Sequence, residues 1–287
     1  MTDYRKEFPV GMMCKVFKVS RSAFYSALNY LPSKRDGENR RLLSEIHRIH
    51  ELSKATYGSP RITDELNARG FNVSRPRVAR LMKQHKIRAV HAKKFVVTTD
   101  SKHNYPIAEN KLDREFSADA PGGKWVSDIT YIRTGKGWLY LTTVIDLFDR
   151  KVIGWSQSSD MSAANTTIAA WRMAIRNRAI NSKLIFHSDR GIQYACKEFT
   201  DLLDSYKNVE RSMSRKGNCW DNAVAESFFK TLKVEHVYRN RFADREHAGI
   251  SVFEWIETWY NQHRRHSALG NLSITEFDQL TQIKYAA

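Results

Sequence analysis

The sequence predicts an α/β domain that follows an all-helical region, and two observations lead to this prediction. The apolar residues have helical spacing up to about residue 95, whereas strand-like runs rich in Val, Ile, Thr and Tyr begin at Lys124. Three such runs come first, and helices alternate with short strands afterwards, which is typical of an α/β layer domain. The predicted parts of the chain are residues 1–32, 33–95, 96–120, 121–240 and 241–287.

The charge of the chain is strongly and unevenly positive. The sequence contains 47 Lys and Arg residues against 31 Asp and Glu residues, which gives a net charge of +16. From Lys34 to Lys94 there are 16 basic and 6 acidic residues, whereas from Pro121 to the end there are 23 and 18. This distribution indicates a polyanion-binding front half joined to a different back half. A basic protein without a specific partner is the alternative.

The cysteines and the apolar runs limit the class of protein. Cys14, Cys196 and Cys219 are widely spaced and form no CxxC pair, which argues against a disulfide framework and indicates a reducing compartment. No apolar run approaches the roughly 20 residues that span a membrane. The stretch MTDYRKEFPVG lacks the apolar core of a secretory signal. We therefore expect a soluble, cytoplasmic protein with no membrane partner.

Residues 1–32 predict a helix-turn-helix segment. A short apolar helix over Met12–Phe17 meets a turn at Lys18, and a second helix follows with Ser20 as its N-cap. Many helical hairpins have this pattern, so the signal is weak alone. The charged stretch PSKRDGENRR then separates this segment from an amphipathic helix, RLLSEIHRIHELS. The core side of that helix carries Leu42, Leu43, Ile46, Ile49 and Leu52.

The segment YGSPRITDELNARGFNVSRPRVARLMKQHKI predicts a second helix-turn-helix-like unit. A helix over Arg61–Ala68 stops at Gly70, and another is capped by Ser74 with Pro76 in its first turn. Basic residues at the start of a second helix suit phosphate contact and entry into the major groove of DNA. A solvated basic face is the alternative. The predicted DNA-contacting residues here are Arg61, Arg75, Arg77, Arg80 and Lys83.

The α/β part follows a predicted linker. Residues 95–123 lose helical periodicity and carry Pro, Asp, Ser and Gly. Three antiparallel strands in hairpins are then predicted in KWVSDITYIR, GWLYLTTVIDLFD and KVIGWSQSS. A long helix (SAANTTIAAWRMAIRNR), a buried strand (KLIFHSD) and another helix (KEFTDLLDSY) come next, and the C-terminal segment is predicted to be helical.

Three acidic residues are candidates for chemistry. Asp128 lies inside a predicted strand, where a charge is costly unless it has a partner. Asp189 follows a buried strand at its carboxyl end, with Gly191 allowing a sharp turn. Glu226 lies on a later helix. A paired Asp, a turn former and a surface Glu are the alternatives, but if the three converge, metal ions would be needed to offset their repulsion. Two Mg²⁺ ions roughly 3.5–4 Å apart can activate a nucleophile and stabilise the leaving oxygen of a phosphodiester.

The helix in GNCWDNAVAESFFKTLKVE has two faces. Its apolar stripe contains Ala225, Phe228, Phe229 and Leu232, and the opposite stripe contains Glu226, Lys230 and Lys233. A surface helix with an ordinary Glu–Lys pair is the alternative to a functional one. Asp221 and Asn222 precede the helix and are predicted to cap it. Lys230 and Lys233 are predicted to hold a DNA phosphate and to reduce carboxylate repulsion.

Other polar and aromatic residues have less specific readings. Asp146 is a fourth strand acid that either faces the side of Asp128 or serves as a strand-end residue. Trp125, Trp155 and Trp220 are more typical of a core than of base stacking. His187 is expected next to the site or in the core. His47 and His50, like His263 and His266, have no cysteine pair beside them, so we expect no structural zinc. The segment His263–His266, with its two arginines, is expected either to touch DNA or to pack on the α/β domain.

Several long motifs resemble a known family. WVSDITYI, YLTTVIDLFDRKVIGW, HSDRGIQY, SMSRKGNCWDNAVAESFFKTLKVE and YNQHRRHSALGNLSITEF resemble OrfB-type transposases of bacterial insertion sequences, whose catalytic core is similar to retroviral integrase. YGSPRITDEL and VSRPRVARLMK look like the N-terminal helical region of that family. The resemblance implies an RNase H-like core, with a mixed five-stranded sheet and flanking helices, behind a helix-turn-helix-type DNA-binding region.

The resemblance also implies an activity. It implies a metal site at Asp128, Asp189 and Glu226 that holds two Mg²⁺ ions, with Mn²⁺ as a substitute, and Lys233 as a contact to the transposon end. The expected reaction is cleavage at the ends of the element followed by strand transfer. The expected partners are double-stranded DNA, further copies of the chain and a product of an upstream reading frame (OrfA-type). Whether this chain or a frameshift fusion is the active form stays open.

The spacing between Asp189 and Glu226 departs from that of the family. The 36 residues between Asp189 and Glu226 are one more than the family commonly has, and we assign the extra residue to the loop DSYKNVERS.

A DNA-binding repressor would need the basic helices but not the three carboxylates. A structure-specific nuclease would share the metals but would not recognise element ends.

Overall fold

The computed structural model describes residues 1–29, 33–90, 105–180 and 183–286. The predicted N-terminal helix pair is confirmed as α1 (Val10–Val16) and α2 (Arg21–Leu28). Lys18 turns the chain between them with a φ of 53°, and the Ser20 hydroxyl accepts a hydrogen bond of 3.0 Å from the Ala23 N–H. The residues 30–32, 91–104, 181–182 and 287, which include parts of the predicted linker and of both helical regions, lie outside the described residues.

The third helix corrects the prediction of a charged separator. Helix α3 (Lys34–Leu52) includes most of PSKRDGENRR. A capping box explains this start, because the Asp36 N–H donates to the Ser33 hydroxyl and the Ser33 N–H donates to the Asp36 carboxylate. Leu42, Ile46 and Ile49 are buried as predicted, whereas Leu52 is 56% exposed, so its assignment to the core side was wrong.

Two further helices complete the helical region. These are α4 (Ser59–Ala68) and α5 (Arg75–Gln84), and Gly70 ends the first of them with a φ of 84°. Ser74 stands at the N-cap of α5 as predicted, but its side chain makes no capping hydrogen bond. The three helices pack around a common apolar core that contains Ile46, Ile62, Leu66, Val78 and Leu81.

A mixed five-stranded sheet forms the centre of the second region, as predicted. Its strands are β1 (Lys124–Thr134), β2 (Gly137–Asp146), β3 (Val152–Ser158), β4 (Leu184–Ser188) and β5 (Val209–Met213). The spatial order is β3-β2-β1-β4-β5. The first three strands are antiparallel, as the hairpin pattern predicts, whereas β4 runs parallel to both β1 and β5.

Helices cover both faces of the sheet. On one face a π-helical turn (Ala164–Ile168) leads into α6 (Ala169–Asn177), and α7 (Ile192–Ala195) and α8 (Lys197–Asp204) follow β4. The other face is covered by α9 (Ala223–Glu235), by α10 (Arg245–Glu254) and by the π-helical segment Trp255–His263. Each face has its own apolar cluster, with Trp125 and Trp171 in the first and Phe228 and Trp255 in the second.

The chain ends in smaller elements. Single 3₁₀ turns at Cys219–Asn222, Val237–Arg239 and Ser267–Leu269 separate larger elements. A short ribbon of β6 (Arg265–His266) and β7 (Leu272–Ser273) precedes α11 (Ile274–Ala286). Within the described part of the chain, none of the helices has the length and apolar character that crossing a bilayer requires.

Buried ion pairs join the helical region to the α/β region. The Arg264 guanidinium donates to both Glu235 oxygens of α9, at 3.0 and 2.8 Å, and Arg61 of α4 lies 3.7 Å from the same carboxylate. Arg265 binds Glu65 of α4 at 2.7 Å and Glu276 of α11. Of the two roles considered for this segment, the structure gives Arg264, Arg265 and His266 packing, since all three are buried.

Candidate active site

Asp128 and Asp189 lie side by side where the parallel strands β1 and β4 stop pairing, a position that we call the carboxylate edge. Ser127 of β1 pairs with Ser188 of β4, and each Asp is the next residue along its strand. Since neighbouring strands are about 4.8 Å apart, both carboxylates leave the sheet at the same level. This is the carboxyl end of β4, the position at which sites form in sheets of this kind.

Backbone groups orient the two carboxylates. The Ile129 N–H donates to Asp128 Oδ1 at 2.8 Å, and the Gly191 N–H donates to Asp189 Oδ1 at 2.9 Å. A Cβ atom at Gly191 would lie 3.0 Å from Asp189 Oδ1, closer than nearly all real Cβ contacts. The absence of a side chain at Gly191 therefore allows the carboxylate its present position.

Glu226 lies in the first turn of α9. Its side chain is exposed, while Ala225, Phe228, Phe229 and Leu232 are buried as the apolar stripe predicts. This stripe packs against the face of the sheet that carries Val126, Ile132 and Leu139. The apolar packing therefore holds α9 with Glu226 directed towards the edge where Asp189 lies.

The electrostatics show that the three carboxylates influence one another. Burial, followed by the charges of Asp189 and Glu226, raises the pKa of Asp128 well above its usual value, although the Ile129 N–H and Lys233 oppose this rise. Although Glu226 is exposed, partial desolvation by its surroundings and then the charge of Asp189 raise its pKa. Three carboxylates in mutual repulsion are a donor set that a hard divalent cation would stabilise.

The carboxylates do not form a ready-made cage for one ion. Among the described residues, no group of three or more His, Cys, Asp and Glu side chains is arranged to hold a metal ion. A pair of ions has a smaller requirement, because each ion takes only part of the carboxylate set and further ligands come from water and substrate phosphates. The all-oxygen donor set fits Mg²⁺ or Mn²⁺.

Lys233 is buried, although helical spacing places it on the stripe opposite the apolar one. It is 9% exposed, and its Nζ lies 5.5 Å from the centre of the Tyr131 ring. Burial lowers the pKa of Lys233, and the charge of Asp128 opposes this shift. Lys230, in contrast, is exposed and lines a cleft of about 330 Å³ together with Arg61 and Glu235. The two lysines thus have different surroundings, although both are on α9.

Contrary to the prediction, Asp221 does not cap α9. It is fully buried, and its carboxylate accepts hydrogen bonds from Arg114 Nε and from the backbone N–H, Nε and Nη2 of Arg215, all at 2.9 Å. These bonds, the Arg215 side chain first, lower the pKa of Asp221. Asn222 occupies the N-cap position without a side-chain capping bond, and its Nδ2 donates to the Ser127 carbonyl at 3.1 Å. Asn222 therefore connects the start of α9 to the residue before Asp128.

Two buried side chains, those of His187 and Tyr194, bind residues next to the carboxylate edge. His187 lies between the Ser212 and Ser214 hydroxyls, at 2.8 and 3.2 Å, and burial lowers its pKa to about 4. Of the two roles considered for His187, the structure gives a neutral core residue. The Tyr194 hydroxyl lies 2.7 Å from Ser127 Oγ, and burial, followed by the charges of Asp128 and Asp189, raises its pKa. Tyr194, Arg114 and Arg215 were not predicted, because nothing in the local sequence links them to the carboxylates.

The basic residues of the helical region divide into two groups. Arg75, Arg80 and Lys83 are exposed on α5. Arg77 instead donates to Asn39 Oδ1 and Glu38 Oε2 of α3, and Arg61 pairs with Glu235 and lies 5.5 Å from the centre of the Tyr57 ring. Arg61 and Arg77 thus have structural partners within the chain.

Asp146 and the tryptophans also have defined surroundings. Asp146 is fully buried and pairs with Arg178 at 2.8 Å, so it does not join the carboxylate edge. Trp125 is in the core as predicted, and Trp155 donates to Glu257 at 2.7 Å. The prediction was wrong for Trp220, which is 69% exposed.

Comparisons with known proteins agree with this architecture. A family model described as an integrase core domain matches residues 118–219, a second model with that description matches residues 207–273, and an HTH-like domain model matches residues 38–95. The fold and these matches thus define an RNase H-like integrase core behind an HTH-like helical domain.

The sequence relatives identify the family. The chain is 40% identical over 277 residues to the transposase InsF of insertion sequence IS3A from Escherichia coli K12, covering 96% of each chain. It is 41% identical over 265 residues to a 31 kDa protein of insertion element IS600 from Shigella sonnei, covering 92% of this chain and 97% of the relative. The chain belongs to the IS3 family of insertion-sequence transposases.

Solved structures with some similarity include the HTLV-2 integrase catalytic core domain in complex with magnesium. That domain is 18% identical, with a TM-score of 0.40, over 55% of this chain and 97% of the other. The family assignment rests on the sequence relatives.

Proposed function

We propose that this transposase cuts DNA at the ends of its insertion element and joins the freed 3′ ends to a new site, with Asp128, Asp189 and Glu226 as its catalytic and metal-binding residues. The observation that carries the proposal is the pairing of Ser127 with Ser188, which brings two acids to one edge. The electrostatic coupling of both to Glu226 supports the inclusion of the third.

The three carboxylates would hold two Mg²⁺ ions, and Mn²⁺ would substitute. The bound ions supply activation of the attacking hydroxyl and stabilisation of the leaving oxygen. The chain itself contributes the placement of the acids. Gly191 orients Asp189, the Asn222 bond to Ser127 connects α9 with β1, and Lys233 supplies a positive charge beside Asp128. Phosphoryl transfer of this kind depends mainly on such positioning and charge stabilisation.

The helical region is the proposed binding site for double-stranded DNA. The exposed Arg75, Arg80 and Lys83 on α5 suit contacts to phosphates or to the major groove, and the exposed Lys230 on α9 adds to this basic surface. Lys233 is buried beside Asp128, so its proposed contact is to the phosphate that reaches the carboxylates. Arg61 and Arg77 belong to the proposed contact set from the sequence, but a contact to DNA would require each to exchange or share its partner.

The remaining assignments follow from the same proposal. Two element ends must be held together for joining, so a homo-oligomer on DNA is expected, and an upstream-frame product is a candidate partner. We propose that the chain acts in the cytoplasm on nucleoid DNA. We retain the five-part division of the chain, with the α/β core at residues 121–240 and the C-terminal helical segment at residues 241–287. Leu112, in the described part of the proposed linker, packs in the core of the α/β region and is 1% exposed.

The test uses DNA duplexes that carry each end of the element encoding this chain. Asp128→Asn, Asp189→Asn and Glu226→Gln should each abolish Mg²⁺-dependent cutting and joining while DNA binding persists. Asp204→Asn, which changes an exposed acid paired with Arg211, is the matched control and should keep both activities. Cutting that survives the first three substitutions would refute the site.

The same assay separates the rival functions. A repressor would bind the duplexes without cutting them, and a structure-specific nuclease would cut without preferring element ends and without joining. Product strands longer than the substrate, formed only with element-end DNA, are the result expected for a transposase.

A further inference from the structure

Trp220 presents a large apolar surface to solvent beside the carboxylate edge. It is 69% exposed, which is more than any of the other six tryptophans, and it belongs to neither core cluster of the α/β region. Folding therefore does not explain a large aromatic ring at this position. Exposed aromatic side chains with a flat, open face are typical of surfaces that bind another molecule.

The backbone next to Trp220 is firmly held. Asp221 is fully buried with four hydrogen bonds from Arg114 and Arg215, and Asn222 is 3% exposed and bonded to the Ser127 carbonyl. An exposed ring on an anchored 3₁₀ turn loses little freedom when it binds a partner.

The hydrogen bond from Asn222 to Ser127 also places Trp220 close to the carboxylates. Asn222 touches the residue before Asp128, and two residues of chain span at most about 7 Å, so the indole is within reach of the same edge. Glu226 follows six residues after Trp220, in the first turn of α9. The neighbouring Arg215 and Lys216 are exposed and basic. A polyanion with flat, apolar rings has the chemistry that matches this surface, and single-stranded or frayed DNA is such a partner.

We propose that the Trp220 indole stacks on a base of the DNA strand that enters the carboxylate edge, and thereby fixes the position of the phosphodiester to be cut. Trp220 is then a positioning residue that acts on substrate geometry. This inference rests on the proposed function and specifies how that site holds its DNA.

The test first locates the cut with the unaltered chain, Mg²⁺ and element-end duplexes. A set of duplexes then carries 2-aminopurine at successive positions around the cut, and fluorescence is measured without metal so that no cutting occurs. Stacking on Trp220 predicts a change in emission at one position, lost in Trp220→Ala and largely retained in Trp220→Phe. Trp138→Ala, which removes another exposed tryptophan on the β1–β2 hairpin, is the matched control and should keep the signal.

Affinity gives the second readout. Trp220→Ala should weaken binding of the intact duplex about tenfold or more. An abasic site at the stacked position should weaken the unaltered chain to the same extent and have no further effect on Trp220→Ala, a coupling that a purely structural role would not produce.

The possible outcomes distinguish the inference from the function on which it rests. If the unaltered chain cuts and joins but Trp220→Ala has the same fluorescence pattern and affinity, the stacking inference is overturned and the transposase function stands. A change in sedimentation of Trp220→Ala without any base-dependent loss would assign the ring to a contact between proteins and also overturn the inference. If the unaltered chain cuts neither end, the proposed function itself fails.

Discussion

Asp128 and Asp189 leave two parallel strands at the same level, because Ser127 and Ser188 are direct partners in the sheet. Residues 61 positions apart in the sequence thus become neighbours through strand pairing. Burial, followed by the charge of Asp189, raises the pKa of Asp128, and a binding site for cations explains why two such acids lie together.

Gly191→Ala tests how closely Asp189 must be placed. The new methyl group would lie 3.0 Å from Asp189 Oδ1 and displace the carboxylate, while the φ of −61° at this position allows alanine. We expect DNA cutting to fall about tenfold to a hundredfold, with a small change in unfolding free energy. Gly123→Ala is the control, because its Cβ would have an ordinary contact of 3.5 Å. Equal cutting rates for both variants would contradict this account.

Asp221→Asn tests the anchor of the turn before α9. The substitution removes the charge that Arg114 and Arg215 bind around a fully buried side chain. Because both arginines are about half exposed and can be hydrated, we expect a loss of about 1–3 kcal/mol in unfolding free energy by urea titration. Glu210→Gln, which changes a partly exposed acid paired with Lys111 and Lys183, should cost clearly less than Asp221→Asn. A loss for Asp221→Asn no larger than for Glu210→Gln would argue against the anchor.

Glu235→Gln tests the junction between the helical region and α9. The variant leaves the Arg264 guanidinium, 7% exposed in its side chain, without its charged partner. Removal of one member of a buried pair typically costs about 3–5 kcal/mol. We expect a loss in this range in urea unfolding, together with faster proteolysis between the two regions. A double variant, Glu235→Gln with Arg264→Met, should recover part of the loss, and no recovery would show that the pair is not the cause.

The pH dependence of stability tests the buried histidines. Burial, followed by the charge of Lys54, lowers the pKa of His236 to about 4. The folded pKa lies below the unfolded value of about 6.5, so the contribution of neutral His236 is full above pH 6.5 and is lost as the pH falls towards 4. We expect His236→Gln, which can still bond to Ser251, to lose about 2 kcal/mol less than the unaltered chain between pH 7 and pH 5. Identical pH profiles would contradict the assignment.

Much of the fold was predictable from local patterns. Runs rich in β-forming residues, separated by turn residues, predict the three antiparallel strands, and the spacing of Ala225, Phe228, Phe229 and Leu232 predicts the buried face of α9. The start of α3 differs from the prediction, because the charged residues predict a separator whereas the Ser33–Asp36 capping box starts a helix.

The site was predictable only in part. The motifs indicated the three acids, but the partners of Asp221 could not be found from sequence, since Arg114 is 107 residues away from it. Helical spacing places Lys233 on the stripe opposite the apolar one, whereas in the structure it is buried, with the Tyr131 ring and Asp128 compensating its burial. Tertiary contacts determine both features, and helical periodicity carries no information about them.

The most direct test of the central claim is anomalous diffraction from crystals of the chain with Mn²⁺ and a duplex that ends in the element terminus. Our account predicts two anomalous peaks about 2–2.3 Å from carboxylate oxygens of Asp128, Asp189 and Glu226, with a DNA phosphate between them. Peaks elsewhere on the chain, or a seated DNA end without peaks at these carboxylates, would contradict it.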